Sequence, residues 1–218
     1  MQGRQAVFFD FDGVIADSVD VKTAAFAGLY TDHGPEVMAK VEAYHLAHLG
    51  MTRFQKIAYF QRELVAGPTD EDTINTLADR FGSDVKHRVI ACAEIPGANR
   101  ALEALSKRLP LFVISATPDE ELIEILAARG IVHHFTSAHG ASRSKPDTLA
   151  HLIATHRFDP ASCIMVGDAM TDFNAAAKSG VRFIGVVAPG RPNPFPPGTE
   201  TIADLIEFAD HCLAEWAA

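Results

Sequence analysis

Four short apolar runs occur along the chain, separated by longer segments of helical periodicity. Each run is rich in Val, Ile or Phe and is bounded by polar or turn-forming residues, which is typical of strands covered on both faces of a parallel sheet. The predicted strands are Ala6–Phe9, Leu111–Ile114, Cys163–Val166 and Phe183–Val187, with a weaker one at Phe135–Ser137. Helices are predicted at Gly97–Leu109, Asp119–Arg129, Asp147–His156, Asp172–Ser179 and Thr201–Trp216. This alternation indicates a doubly wound, Rossmann-like α/β core.

A long helical stretch separates the first strong strand from the second. About 80 residues lie between Asp17 and Pro96, far more than one crossover needs, and none of them has a convincing strand pattern. Turn signals divide the stretch into predicted helices at Val19–Thr31, Pro35–Leu46, Thr52–Leu64 and Glu71–Phe81, with an extension to Ala91 left open. Thr69 is the expected N-cap of the last helix. We therefore predict a helical insert over residues 18–95, with 1–17 and 96–218 forming the core.

Charge and cysteine content narrow the classes of function. The chain has 19 Lys and Arg against 28 Asp and Glu, a net charge of −9, and no long basic run, which disfavours nucleic acid as a partner. Its three cysteines are far apart and form no metal-binding spacing, so we expect reduced thiols. It has neither a signal peptide pattern nor an apolar stretch of about 18 residues. We expect a cytoplasmic protein with no membrane partner, and both monomer and homodimer remain open.

Polar residues follow three of the predicted strands, at the edge where open α/β sheets bind ligands. They are Asp10 and Asp12 after the first strand, followed by Gly13, Ser115 and Thr117 after the second, on either side of Ala116, and Asp168 after the third, with Asp172 one helical turn later. Two aspartates at i and i+2 of a regular strand point to the same face, and their repulsion favours a cation between them. The alternative is that Asp12 and Gly13 only form a β-turn.

Helix starts offer another explanation for several of these residues. Thr117 is the expected cap of a helix that begins at Pro118, although the free N–H groups of such a terminus also suit a phosphate. Lys145 follows Ser144, the expected cap of another helix, and most lysines are solvated surface residues; Asp168 could cap the helix that follows it. Together, however, these residues place acids, a hydroxyl and an ammonium at one sheet edge. Such an acidic cluster is costly without a cation, and hard oxygen ligands select Mg²⁺.

In their order along the chain, these residues resemble the haloacid dehalogenase superfamily, in its phosphatase branch. The matching motifs are Phe8-Phe-Asp10-Phe-Asp12-Gly13-Val14, Val113-Ile-Ser115, Ser144-Lys145-Pro146 and Val166-Gly167-Asp168-Ala-Met-Thr-Asp172. The first and the fourth are specific, whereas the other two carry little information by themselves. The helical insert resembles the cap domain of phosphoglycolate phosphatases and β-phosphoglucomutases. The resemblance thus implies a small all-helical cap domain, inserted after the first strand of the core.

The resemblance also implies catalytic roles. Asp10 would be the nucleophile that forms an aspartyl-phosphate, and Asp12 would protonate the leaving alcohol and later deprotonate water. Ser115 and Lys145 would hold the phosphate, with Gly13 and Ala116 beside it. In place of a second proline after Pro146 the chain has Asp147, which suggests a shortened loop at the third motif.

The resemblance further implies a cofactor and a class of substrate. Mg²⁺ would be bound by Asp168, the Asp10 carboxylate and the Asp12 carbonyl, with Asp172 supporting the ion or Lys145. The expected reaction is Mg²⁺-dependent hydrolysis of a small phosphorylated metabolite, either a sugar phosphate or a phosphoglycolate-like acid. Asp12 argues against dehalogenase chemistry, because the dehalogenases of the superfamily lack that carboxylate.

Specificity is expected to come from the insert. Arg53 and Lys56 lie three residues apart on one predicted helix face, where they could bind a second anionic group of the substrate or simply form an exposed basic surface. A phosphomutase of the β-phosphoglucomutase type remains an alternative activity. A phosphonoacetaldehyde hydrolase-like enzyme, with Lys56 forming a Schiff base, and a non-catalytic phospho-accepting module are less favoured alternatives.

Overall fold

The computed structural model describes residues 5–217, and six parallel strands form its sheet in the order β3-β2-β1-β4-β5-β6. The strands are β1 (Ala6–Phe9), β2 (Leu111–Ile114), β3 (Ser137–His139), β4 (Cys163–Gly167), β5 (Arg182–Val186) and β6 (Thr201–Ile202). The order reverses at β1, which pairs with β2 on one side and with β4 on the other. This arrangement confirms the predicted doubly wound α/β core.

Helices cover both faces of the sheet, and a separate helical group follows β1. The helices after β1 are α1 (Val19–Gly28), α2 (Pro35–Ala47), α3 (Arg53–Tyr59) and α4 (Glu71–Ala91). The remaining helices are α5 (Ala98–Ser106), α6 (Asp119–Ala128), α7 (Lys145–His156), α8 (Met170–Ser179) and α9 (Phe208–Ala217). Helix α3 continues into a π-helical turn over Phe60–Leu64. The all-helical cap inserted after the first strand is therefore confirmed.

Alternation along β1 explains why the sheet is buried on both faces. Val7 and Phe9 belong to one apolar cluster, which also contains side chains from α5, α9 and the cap. Ala6 and Phe8 belong to a second cluster on the other face, with side chains of α7 and α8. Burial on both faces accounts for a strand sequence that is apolar at every position.

The chain leaves the core for the cap and returns from it along neighbouring paths. The Asp17 amide donates to the Ala93 carbonyl at 2.9 Å, and the Ile95 amide donates to the Ile15 carbonyl at 3.0 Å. The cap is thus joined to the core by two adjacent, hydrogen-bonded segments. The residue bounds proposed above for cap and core stay a prediction. Among the described residues, no helix has both the length and the apolar character that crossing a membrane requires.

The last predicted helix is wrong at its N-terminal half. Thr201–Ile202 forms β6, which pairs with Gly185 and Val186 of β5, and α9 begins only at Phe208. The short strand covers backbone groups that β5 would otherwise leave unpaired at the sheet edge. The weak strand is also shifted, since β3 lies two residues later than predicted.

Two predicted helix caps are wrong. Helix α4 is capped by Asp70 rather than Thr69, because the Asp70 carboxylate accepts a hydrogen bond from the Thr73 amide at 2.9 Å. Helix α6 begins at Asp119 with Pro118 at its N-cap, so Thr117 does not cap it. The Thr117 hydroxyl instead faces residues that are distant in sequence.

Candidate active site

Three carboxylates meet at the carboxyl edge of the sheet. Asp10 follows β1, Asp168 follows β4, and Asp172 lies in the first turn of α8. The parallel register pairs Phe9 with Val166, and the Asp10 amide donates to the Val166 carbonyl at 2.9 Å, so the two strand ends lie side by side. One oxygen from each carboxylate lies within 4.8 Å of the others, and Asp10 and Asp172 are buried.

Lys145 lies between two of these carboxylates. Its Nζ is 2.7 Å from Asp10 Oδ2 and 2.7 Å from Asp172 Oδ1. It is the first residue of α7, which Ser144 caps as predicted. Burial would lower the pKa of the Lys145 ammonium, but the two carboxylates outweigh it and raise that pKa. We call Asp10, Lys145, Asp168 and Asp172 the floor of the site.

The floor carries more negative than positive charge. Burial raises the pKa of Asp10 to about 7; Lys145 opposes the rise, while Asp172 and Asp12 add to it. Burial also raises the pKa of Asp168, and repulsion from Asp10 and Asp172 reinforces the effect. Three carboxylates with one ammonium form an oxygen-rich, electron-rich set of donors, which suits a divalent cation such as Mg²⁺.

Gly13 leaves space for Asp168. Its φ is +74°, a backbone conformation that residues with a side chain rarely adopt. A Cβ at this position would also lie 2.2 Å from Asp168 Oδ2. Any larger residue would therefore displace this carboxylate. The role predicted for Gly13 beside the phosphate stays a prediction.

Asp12 lines the same cavity as Asp10 and Asp168 but has hydrogen-bond partners of its own. Its Oδ1 accepts from Ser18 Oγ at 2.6 Å, and its Oδ2 accepts from Lys22 Nζ at 2.5 Å. Burial alone would raise the pKa of Asp12, but the charge and hydrogen bond of Lys22, with the Ser18 hydroxyl, lower it. Because β1 ends at Phe9, both aspartates lie beyond the strand, so the expectation that a regular strand holds them side by side is wrong.

The segment after β2 lies against Asp12. Ser115 is buried, its amide donates to the His139 carbonyl at 2.9 Å, and its Oγ accepts from the Thr117 amide at 3.1 Å. The Thr117 hydroxyl accepts from Lys22 Nζ at 3.0 Å, and Thr117 and Ala116 line the cavity. Whether Ser115 binds phosphate stays a prediction.

Lys22 is the site residue that the sequence analysis missed. The available signal was local, because Ser18 and Lys22 are four residues apart at the start of α1, directly after the first motif. Side chains with this spacing share a helix face. Both contact Asp12 in the structure.

Cationic and aromatic side chains of the cap face the floor across a cavity of about 50 Å³. We call this surface the cap wall; it consists of Lys22, Phe26, His45, Arg53, Lys56 and Phe81. Lys56 is only 2% exposed, and its Nζ lies 2.8 Å from His45 Nδ1. Burial, with repulsion from Lys22, lowers the pKa of Lys56 to about 7. Burial and Lys56 lower the pKa of His45 to about 2, so this imidazole is neutral.

Arg53 joins the cap to the core. Its guanidinium donates to both Glu121 oxygens, at 2.8 and 2.5 Å, and lies 4.9 Å from the ring centre of Phe81. Gly82 in α4 gives the pair its space, because a Cβ there would lie 2.5 Å from Arg53 Nη1. The predicted contacts of Arg53 and Lys56 with substrate stay predictions, but Arg53 already has a partly buried acidic partner.

Sequence comparison agrees with this geometry. Residues 7–186 match the family described as haloacid dehalogenase-like hydrolase. The chain belongs to that family. The match includes the segments that supply every floor residue, and it confirms the resemblance drawn from the four motifs.

Two relatives of this haloacid dehalogenase-like chain are named as phosphatases. A phosphorylated carbohydrates phosphatase of Thermotoga maritima is 26% identical over an alignment of 192 positions, which covers 84% of this chain and 85% of the relative. A phosphoglycolate phosphatase of Neisseria meningitidis is 27% identical over an alignment of 195 positions, which covers 84% of this chain and 80% of the relative. A crystal structure of β-phosphoglucomutase from Clostridium difficile has a TM-score of 0.79 at 17% identity, covering 98% of this chain and 97% of the other, and supports the fold.

Proposed function

We propose that this protein is a Mg²⁺-dependent phosphatase that hydrolyses a small phosphorylated metabolite through an aspartyl-phosphate on Asp10. The observation that carries the proposal is the floor, where a buried carboxylate at a strand end shares one lysine with Asp172 and lies beside Asp168. This arrangement provides a nucleophile, a fixed positive charge and an oxygen-rich cation site at one point.

In the first step an Asp10 oxygen attacks phosphorus, the bond from phosphorus to the ester oxygen breaks, and Asp12 gives its proton to the leaving oxygen. In the second step water attacks phosphorus, the bond between Asp10 and phosphorus breaks, and Asp12 takes a proton from the water. The net reaction converts the ester and water into an alcohol and inorganic phosphate. The Phe11 amide, 2.7 Å from Asp10 Oδ1, orients the nucleophile.

Lys145 would neutralise charge on the phosphoryl oxygens, because its ammonium is already held against Asp10. Asp172 keeps the ammonium in place and also accepts from the Ala169 amide at 3.2 Å. Ser115, Ala116 and Gly13 would surround the phosphate. Lys22 donates to the Asp12 carboxylate, so proton donation by Asp12 requires another acceptor for that ammonium.

The Asp10 and Asp168 carboxylates, with the Asp12 carbonyl, would hold Mg²⁺. The bound ion supplies positive charge that offsets the repulsion between an anionic nucleophile and an anionic phosphate. The excess negative charge of the floor supports this assignment, since the described protein groups compensate it only through Lys145.

The names of the relatives and the narrow cavity support a small phosphorylated substrate, either a carbohydrate phosphate or a phosphoglycolate-like acid. The test is to measure inorganic phosphate released from a panel of both classes, with Mg²⁺ and with excess EDTA. We expect release that depends on Mg²⁺. Isomerisation of a sugar phosphate without phosphate release would identify a phosphomutase instead, and no reaction with any phosphate ester would contradict the proposal.

A further inference from the structure

Lys22 occupies a place at the site that no motif accounts for. It projects from α1 of the cap, yet its Nζ lies 2.5 Å from Asp12 Oδ2 and 3.0 Å from Thr117 Oγ1, both on the core. Its side chain is 13% exposed and lines the cavity between the floor and the cap wall. A cationic group of the cap is therefore placed directly on the proposed acid/base.

The other cations of the cap wall are engaged elsewhere. Arg53 donates to both oxygens of Glu121, and Lys56 is bonded to His45. An ammonium has three N–H donors, and the hydrogen bonds of Lys22 to Asp12 and Thr117 use two of them. Of these cations, Lys22 is the one that contacts the acid/base carboxylate directly.

The position of Asp12 fixes which part of a substrate would meet Lys22. If Asp12 protonates the leaving oxygen, that oxygen comes within hydrogen-bond distance of the carboxylate. Lys22 lies within hydrogen-bond distance of the same carboxylate. Substituents on the carbon next to the leaving oxygen therefore arrive beside the Lys22 ammonium.

We propose that Lys22 is a specificity-determining residue, which selects O-phosphorylated 2-hydroxycarboxylic acids by binding the carboxylate next to the ester oxygen. This inference rests on the proposed function and adds the chemical class of the preferred substrate. A substrate carboxylate replaces the carboxylate of Asp12 as a partner of equal charge, whereas a hydroxyl does not. The cavity of about 50 Å³ favours the short members of the class.

The experiment compares phosphoglycolate, the shortest acid of this class, with 2-phosphoglycolamide, in which a neutral amide replaces the carboxylate. Both are measured at saturating Mg²⁺. For the wild-type protein we expect kcat/KM to favour the acid by about tenfold or more, which is the value of one charge-assisted hydrogen bond. In Lys22→Met this preference disappears, mainly through a higher KM for the acid, because the contact is made in the ground state. Lys40→Met removes an exposed lysine of α2 and is the matched control, in which the preference is retained.

An equal loss of kcat for acid and amide in Lys22→Met would mean that Lys22 only positions Asp12, and would overturn the inference. So would a wild-type protein that hydrolyses both compounds equally well. The wild-type comparison, and the variant Lys22→Gln, keep the test decisive if Lys22→Met does not fold. If neither compound nor p-nitrophenyl phosphate releases phosphate, the proposed function itself fails, which is a distinguishable result.

Discussion

The floor and the cap wall both bury charged side chains, but they balance the charges differently. On the floor, Asp10 and Asp172 share one ammonium, that of Lys145, and the Asp168 carboxylate lies beside them. On the cap wall, Arg53 has its own carboxylate partner in Glu121, and Lys22 has one in Asp12. Lys56 is the exception among these cap cations, because its neighbour His45 is neutral.

This difference separates two tasks. An unbalanced, buried set of carboxylates is unfavourable until a ligand supplies positive charge, so the floor is suited to binding a cation and then a phosphate. On the cap wall most cations are already paired with acids, so a bound metal cation would stabilise it less than it would the floor. Its pairs connect cap to core, and in the proposed mechanism one of them would place a positive charge beside the leaving group.

The largest expected effect comes from removing the nucleophile on the floor. Asp10→Asn should lower kcat for phosphate release by about a thousandfold or more, because the amide cannot form the phosphoenzyme. The rate of Mg²⁺-dependent phosphate release measures it, with Asp84→Asn, an exposed acid of α4, as the control. A kcat within tenfold of wild type would remove Asp10 from the nucleophile role.

Removing the shared ammonium should destabilise the floor. Lys145→Met leaves buried carboxylates without their counter-charge, and we expect it to lower the free energy of unfolding by about 3–5 kcal/mol in EDTA. The double variant Lys145→Met, Asp172→Asn should recover part of this loss, because one repelling charge is gone. Urea unfolding measures both. A double variant no more stable than the single one would show that charge imbalance does not destabilise the floor. Lys178→Met, at an exposed site, is the control and should change the free energy of unfolding little.

The ion pair between cap and core should be worth less than the floor lysine. Glu121→Gln leaves the buried Arg53 guanidinium without a charged partner and should cost about 1–3 kcal/mol of unfolding free energy. Glu124→Gln is the matched control on the same helix, because the exposed pair of Glu124 with Lys86 of α4 also joins α6 to the cap. It should cost no more than about 0.5 kcal/mol. Equal effects of the two variants would mean that burial of the Arg53 pair has no energetic consequence.

A further effect depends on pH. The pKa of Lys56 in the folded protein is about 7, below its ordinary value of 10.5. The charged amine therefore penalises the fold fully below pH 7, and the penalty fades as the pH rises towards 10.5, where the unfolded chain also loses the proton.

Lys56→Met removes this penalty. Its effect on unfolding free energy should thus be more favourable at pH 6 than at pH 10, by about 1 kcal/mol or more, because a pKa change of one corresponds to about that energy. Urea unfolding at the two pH values measures it, and any pH-independent cost at His45 cancels in the difference. Lys40→Met should show no such dependence, and an identical effect of Lys56→Met at both pH values would contradict the argument.

The sequence predicted the features whose causes are local. Strands such as β1 and β2 are apolar at every position, because both sheet faces are covered, and this pattern is visible in four consecutive residues. Asp10 and Asp168 directly follow two such strands, so the sheet topology alone brings them to one edge. Helix α7 also begins near its predicted start, because the Ser144 cap is a local signal.

Apart from Lys22, the features that were missed depend on contacts between distant residues. Thr117 looks like a helix cap in sequence, but its hydroxyl accepts from Lys22, 95 residues away. Arg53 is paired with Glu121, 68 residues away, and no pattern in either helix indicates the partner. Strand β6 exists through its pairing with β5, since two residues carry no strand periodicity of their own.

Calorimetric titration of the purified protein with Mg²⁺ tests most directly whether the floor requires a divalent cation. The wild-type protein should bind one Mg²⁺ per chain, and Asp168→Asn should bind it at least about tenfold more weakly, because one of the carboxylate donors is lost. Asp84→Asn should bind like the wild type. Equal affinity of the wild type and Asp168→Asn, or no binding by either, would contradict the account.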